Sequence, residues 1–330
     1  MEEILNTVVI ALIKIVILFV FLMFNAAYLT WVERKVIAHM QVRLGPMRTG
    51  FHGLLQPIAD GIKVFFKEDI IPANADKPVF FLAPVIPMIT VLCAFAVMPL
   101  PVFTDTVYTI ADLNIGILYI LAFSSLGAYG TVLAGWSSNS KYSLLGGLRA
   151  SAQVISYEVA LGLSLIGPIL LAGSANLGEI VKAQEQSGCF IFYQPVAFAI
   201  FLLAAIAETN RTPFDMPEAE SELVAGFATE YSGYRYALFF MAEYIGMVLM
   251  AALGTVCFLG GWTGIDFFNF VPPVIRFLFK MYALIFLFIW LRATLPRVRF
   301  DQLMDLGWKV LIPVALANIV VTTLIKGILQ

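Results

Sequence analysis

The chain has 330 residues, of which 61% are hydrophobic and 13% charged, with a formal net charge of −2 and a mean hydropathy of +0.91. An ordinary water-soluble domain carries about a quarter charged residues, so that class is excluded and an integral membrane protein is indicated. No basic tract suggests nucleic acid, and Cys93, Cys189 and Cys257 lie too far apart, in apolar surroundings, to form a disulfide framework or a metal site.

Spans of about 20 apolar residues are expected at Ile4–Thr30, Val79–Leu100, Ile115–Trp136, Leu144–Leu171, Tyr193–Ala207, Tyr234–Leu259, Val274–Arg292 and Trp308–Lys326, the fifth being short. The acidic start Met1-Glu2-Glu3 lacks the basic region of a signal peptide, so the first stretch is read as a true span. The expected fold is an all-α polytopic membrane protein, one transmembrane domain over residues 1–330, with about eight transmembrane helices and short amphipathic surface helices. Inner-face loops are expected at about 31–78, 137–143, 208–233 and 293–307.

Lys and Arg set the orientation. With the N-terminus outside, Arg34, Lys35, Arg43, Arg48, Lys63, Lys67, Lys77, Lys141, Arg149, Arg211, Arg235, Arg292, Arg297, Arg299 and Lys309 fall at the inner side. Only Lys182, Arg276, Lys280 and Lys326 fall outside, and Lys14 lies within the first span. Both termini are therefore expected on the outer side. In the first inner loop Phe51, Leu54, Leu55, Ile58, Ile62, Phe65 and Phe66 recur at three- and four-residue steps opposite His52, Gln56, Asp60, Lys63 and Lys67. That pattern predicts an amphipathic helix along the membrane surface or docked on a partner. Short helices are expected in 102–114 and 173–194, and a short amphipathic piece at Val298–Gly307.

Two carboxylates fall inside spans. Glu158 lies about 20 Å along the fourth and Glu243 about 13 Å along the sixth, at 1.5 Å per residue. A charge at mid-bilayer is costly, and such a residue is by default a proton or ion site. Lys280 is expected to snorkel. Between spans five and six, Glu208, Asp215, Glu218, Glu220, Glu222 and Glu230 form an acidic stretch interrupted by Pro213 and Pro217. Closely spaced acids in a weakly hydrated place hold protons near neutral pH; a solvated acidic loop is the competing reading. No catalytic residue, metal site, haem site or nucleotide fingerprint is found.

The run Glu33-Arg34-Lys35, Gln41-Val42-Arg43-Leu44-Gly45-Pro46, then Gln56-Pro57-Ile58-Ala59-Asp60-Gly61-Ile62-Lys63, resembles the first signature of the H subunits of bacterial NADH-quinone oxidoreductase, respiratory complex I. Ser137-Ser138-Asn139-Ser140-Lys141-Tyr142, with Gly146 to Ala150 and Gln153 to Glu158, resembles their middle motif. Ala207 to Asp215, with Glu218, Glu220, Glu222 and Tyr231-Ser232-Gly233, resembles their acidic loop. The likeness runs nearly end to end.

The resemblance implies a membrane component of the bacterial inner membrane that forms the entrance and tunnel for quinone (ubiquinone or menaquinone) as substrate. It implies docking of the hydrophilic quinone-site subunits, contact with small membrane-arm subunits, and FMN and iron–sulfur clusters in those partners with no cofactor bound by this chain. Proton coupling would fall to Glu158, Glu208, Asp215, Glu218, Glu220, Glu222, Glu230 and Glu243. Glu33, Arg43, Gln56, Asp60, Lys63 and Arg211 would line or brace the quinone passage and docking surface. Phe51 and Leu54 are candidates to touch the isoprenoid tail, with ordinary lipid contact as the alternative. Rival readings are the homologous component of a membrane-bound hydrogenase or related energy-converting complex, and a stand-alone ion transporter.

Overall fold

A computed structural model describes residues 2–101, 107–216, 224–263 and 271–329. Among these, seven helices are long and apolar enough to cross a membrane, and an eighth apolar helix is shorter, making the chain an all-α multi-pass membrane protein. The expected residues Glu218, Glu220 and Glu222 lie outside the described segments.

The first helix, α1 (Glu2–Met40), is 39 residues long, about 58 Å at 1.5 Å per residue, against a hydrocarbon core of about 30 Å. It runs ten residues past the expected span end, because no Pro or Gly interrupts the sequence before Gly45. The first inner loop is correspondingly shorter than the 31–78 expected. The expected amphipathic helix is present but starts later. A 3-10 turn at Phe51–Gly53 contains His52 at φ 52°, outside helical geometry, and the regular helix α2 is Gln56–Phe66, opened by Pro57 near its N-terminus. Ile58, Ile62, Phe65 and Phe66 are exposed along it.

The second span is broken into α3 (Lys77–Leu82) and α4 (Val85–Ala94), with Pro84 at the joint. Outside the membrane, the described part of the 102–114 loop holds no helix. Leu100–Pro101 (β1) pairs antiparallel with Val107–Tyr108 (β2), and Lys14 ties this hairpin to α1 through the Thr109 carbonyl, 3.0 Å away. The third and fourth spans are α5 (Gly116–Ser137) and α6 (Lys141–Ala172). They approach closely: a Cβ on Gly135 would stand 2.5 Å from the Ser143 carbonyl oxygen; on α6, one on Gly146 would stand 2.7 Å from the backbone of Gly226, in the 3-10 turn Gly226–Ala228. Small residues at such crossings let backbones pack where lipid offers no hydrophobic drive.

Two short helices, α7 (Leu177–Ser187) and α8 (Phe190–Tyr193), precede α9 (Pro195–Glu208). With 14 residues, α9 covers about 21 Å, roughly two-thirds of the core thickness. Polar groups take up the ends. Gln194 donates to the Thr322 hydroxyl at 2.6 Å, and the chain beyond Glu208 turns back into the bundle.

Next, α10 (Gly233–Phe258) is the most enclosed span and supplies the main core with Tyr244, Ile245 and Met247–Phe258. It packs against α1, α4 and α9 and against α11 (Pro273–Thr294). The Lys280 ammonium donates to the carbonyls of Leu259, Gly261 and Thr263 at 2.6, 3.1 and 2.7 Å, in the turn just past the end of α10. The expected loop 293–307 becomes helical at α12 (Phe300–Asp305). That helix continues through a π-helical stretch, Leu306–Leu311, into α13 (Ile312–Leu329).

Candidate functional site

The stretch Thr209–Met216 opens the expected acidic loop, yet Arg211, Phe214 and Met216 are buried, which rules out a fully solvated loop for this part. Gln153 of α6 makes this possible. Its amide nitrogen donates to the carbonyls of Ala207 at 2.6 Å and Phe214 at 2.7 Å. Non-helical backbone at membrane depth needs such replacement partners.

Arg211 projects from this segment toward Glu33 of α1. Glu33 is 5% and Arg211 6% exposed. The Arg211 Nη1 donates to both Glu33 oxygens at 3.1–3.2 Å, and the Tyr244 hydroxyl of α10 donates to Glu33 Oε2 at 2.8 Å. Arg292, at the end of α11, completes the cluster with an ion pair to Glu33 Oε1. The Arg211 guanidinium stacks over the Tyr244 ring, 4.2 Å from its centroid. Burial opposes the Arg211 charge, but Glu33, Tyr244 and Glu243 outweigh it and hold the guanidinium firmly protonated.

Around α5 a second set of acids gathers. Ser124 donates to Glu208 and Ser125 to Glu158, so two adjacent hydroxyls bring carboxylates from α9 and α6 to either side of one helix turn. Glu208 and Glu243 both line a cavity of about 120 Å³ bounded by α4, α5 and α10, with Thr90, Thr131 and Asn210 in its wall. A polar-edged space of that size has room for several waters. The groups thus follow one another as Glu158, Ser125, Ser124, Glu208, the cavity, Glu243, Arg211 and Glu33.

A larger cavity, about 340 Å³, opens between α1, α2 and α10. Met23, Ala26, Ala27, Phe65, Ala237, Phe240 and Met241 give it an apolar wall; Arg34, Asp60, Lys63 and Tyr244 stand at its polar margin. Asp60 is held by Arg34 at 2.8 Å and by Gln56 at 3.0 Å, with Lys63 at 3.6 Å. Tyr244 therefore borders this cavity while its hydroxyl bonds the Glu33 cluster.

Of the expected site residues, Glu33, Arg211, Glu158, Glu208 and Glu243 come together along this path; Asp60 and Lys63 line the larger cavity, and Gln56 reaches it only through its bond to Asp60. Asp215 lies half-buried in the loop just past Phe214, and Glu230 is half-buried after the 3-10 turn Gly226–Ala228. Neither lines either cavity. Phe51 and Leu54 are exposed and also lie outside the cavity walls. Arg43 is exposed, and its side chain donates to the Gln41 side chain at 2.8 Å. Sequence reasoning missed Tyr244, Arg292, Gln153, Ser124 and Ser125. The available signals were a polar Gln and a Ser pair within apolar spans, a Tyr next to an intramembrane Glu, and an Arg counted only for orientation.

A family profile described as NADH dehydrogenase matches residues 13–323. The chain is 54% identical to an H subunit of NADH-quinone oxidoreductase, form 2, of Geobacter metallireducens, over 96% of this chain and 95% of that protein. It is likewise 54% identical to the form 1 H subunit of Geobacter sulfurreducens, over 96% and 94%. With the H subunit of Bacillus cereus NADH-quinone oxidoreductase it shares 55% identity over 89% of this chain and 87% of that protein.

Proposed function

Because the chain belongs to the NADH dehydrogenase family, we propose that it admits quinone from the bilayer into a multisubunit NADH-quinone oxidoreductase and couples the reduction of that quinone to proton movement. The larger cavity is the doorway. Its apolar wall suits an isoprenoid tail, and the Arg34–Asp60–Lys63 margin suits a polar head at the inner membrane surface. This chain carries no complete redox site of its own; electrons come from the flavin and iron–sulfur clusters of hydrophilic partners docked on the inner face. Both termini face outward, in a bacterial inner membrane.

The observation that carries the reading is Tyr244, which borders the doorway and donates to Glu33 in the buried cluster. A change of charge or hydrogen bonding at the passage acts on Glu33 and Arg211 directly. Through Glu243 it reaches the acid-lined cavity, Glu208 and Glu158. Glu218, Glu220 and Glu222 would extend the same acidic path. Waters in the smaller cavity give protons a route that hydrocarbon does not.

Two substitutions in the assembled enzyme test this. Ala237→Trp should lower reduction of a long-tailed quinone at least tenfold while NADH–ferricyanide reduction by the partners is unchanged. Glu208→Gln should lower coupled turnover with assembly intact, and Glu218→Gln or Glu220→Gln should do the same. Parent rates of quinone reduction in Ala237→Trp would remove the doorway; parent rates of pumping and turnover in the Glu variants would make the acids structural.

A further inference from the structure

The α2 side of the doorway is held from beyond the cavity wall. Of the eleven residues of α2, Pro57 alone is buried, while Ile58, Ile62 and Phe66 are exposed. A helix with so little of its own surface packed takes its position from what its ends are tied to. The doorway depends on that position, since Asp60, Gly61, Val64 and Phe65 of α2 line it together with Tyr234 and Ala237 of α10. Toward the end of α2 the Phe65 and Tyr234 rings meet, with centroids 5.4 Å apart.

The tie lies just past the helix. Lys67 is extended, at φ −72° and ψ 138°, and the residues after it are bonded to the start of α10. The Ser232 hydroxyl donates to the Glu68 carbonyl at 3.2 Å and accepts from the Ile70 amide at 3.0 Å. Gly233, at φ 54°, lies so close that an added Cβ would stand 3.2 Å from the Lys67 carbonyl oxygen. Arg235 completes the tie. Its Nη2 pairs with Asp69 at 2.9 Å, and its guanidinium lies 3.7 Å from the centroid of the Phe81 ring and 5.5 Å from that of Phe80. The Arg235 side chain is 10% exposed, and a cation desolvated against aromatic faces is held more firmly than one in water. Arg235 therefore joins the exit of α2 to α3 and α10 at once. It lies outside the doorway wall, whereas its chain neighbour Tyr234 is part of that wall.

We propose that Arg235 is a positioning residue that fixes the separation of α2 from α10, and with it the doorway's selection among quinones by the length of the tail. The inference rests on the doorway reading and names the residue that sets its aperture. Arg235 acts through Asp69 and the backbone of 67–70, without touching the quinone. A long isoprenoid tail has to thread the whole apolar passage, whereas a short alkyl tail leaves much of it empty. Once the clamp is lost, the sparsely packed α2 drifts, and binding of the long tail carries the cost of ordering it again.

The test uses the assembled enzyme in membranes, with a polyisoprenyl quinone and the decyl quinone of the same head as substrates. Arg235→Met keeps a long stem and removes the charge. It should raise KM for the polyisoprenyl quinone about tenfold, with kcat within about twofold of the parent and KM for the decyl quinone changed less than about threefold. Arg235→Lys, which keeps a cation over the rings, should hold both KM values within about threefold of the parent. Asp69→Asn releases the clamp from its exposed side and should raise the polyisoprenyl KM about threefold; it carries the test where Arg235→Met fails to assemble. A parent-like ratio of the two KM values in Arg235→Met and Asp69→Asn overturns the proposal. So does a loss that falls equally on both quinones or on kcat alone, which marks Arg235 as merely structural. Parent rates of quinone reduction in Ala237→Trp would instead remove the doorway itself. If Ala237→Trp blocks reduction while the KM ratio stays at the parent value in the clamp variants, only the clamp fails.

Discussion

Replacing Glu33 with Gln probes the buried cluster with almost no change in size. The Glu33–Arg211 pair is 3.1 Å long with side chains 6% and 7% exposed, and among the described residues Nε and Nη2 of Arg211 have no hydrogen-bond partner. Removing the carboxylate strands a buried guanidinium. Breaking a buried pair by deleting one partner costs about 3–5 kcal/mol. Arg292 is a third exposed at its side chain, so solvent screens its share and the lower figure, about 3 kcal/mol, applies. If about half of that appears in the barrier to dissociation, the assembled complex falls apart about tenfold faster. Adding Arg211→Met to Glu33→Gln removes the stranded charge, and the rate should return to within about threefold of the parent. The assay holds the purified complex at one temperature and follows the intact fraction on native gels, which does not depend on catalysis. A parent-like rate for Glu33→Gln, or no recovery in the double variant, would refute the assignment of Glu33 as counter-ion to Arg211.

Gly146→Val should prevent α6 from seating against the Gly226 turn, since even a methyl would meet backbone at 2.7 Å; loss of the protein from membranes, measured by immunoblot, checks this. Burial pushes the Tyr231 phenol from 10 up to about 12. Because the folded value is raised, the associated stability is complete below about pH 10 and is lost as pH climbs toward 12. Tyr231→Phe should therefore show a flatter alkaline decline in thermal stability over that window. A periplasm-dependent reporter fused after Gln330 should be active if the C-terminus faces outward, and an inactive fusion with an active cytoplasmic reporter would invert the topology.

Hydropathy was enough to find each span, because a span is a collective property of some twenty side chains that no single neighbour alters. It did not find where α1 stops. Trp31 to Met40 is polar enough to read as loop, but nothing in it breaks a helix, so backbone hydrogen bonding continues past the lipid. Glu158 and Glu243 were visible because an acid in hydrocarbon is costly wherever it sits. Their partners were not, since Ser124 and Ser125 acquire meaning only when α6 and α9 close on α5. The burial of Arg211 was equally hidden. A Pro-rich, charged stretch reads as solvated until Gln153, from a distant helix, takes up its carbonyls.

The shortness of α9 has an electrical consequence. A transmembrane voltage drops across low-dielectric material, and here about 21 Å of helix is followed by a polar segment rather than by more hydrocarbon. In the proposed orientation Glu208 stands at the inner end of α9, so a proton that reached it from the cytoplasmic side would cross little of the drop, whereas one continuing outward would cross most of it. Carrying one charge through a full 100 mV requires about 2.3 kcal/mol. Under the proposed function, loading of this acid would then be nearly indifferent to the energised state of the membrane, and the back-pressure of that state would fall on the later, outward transfer.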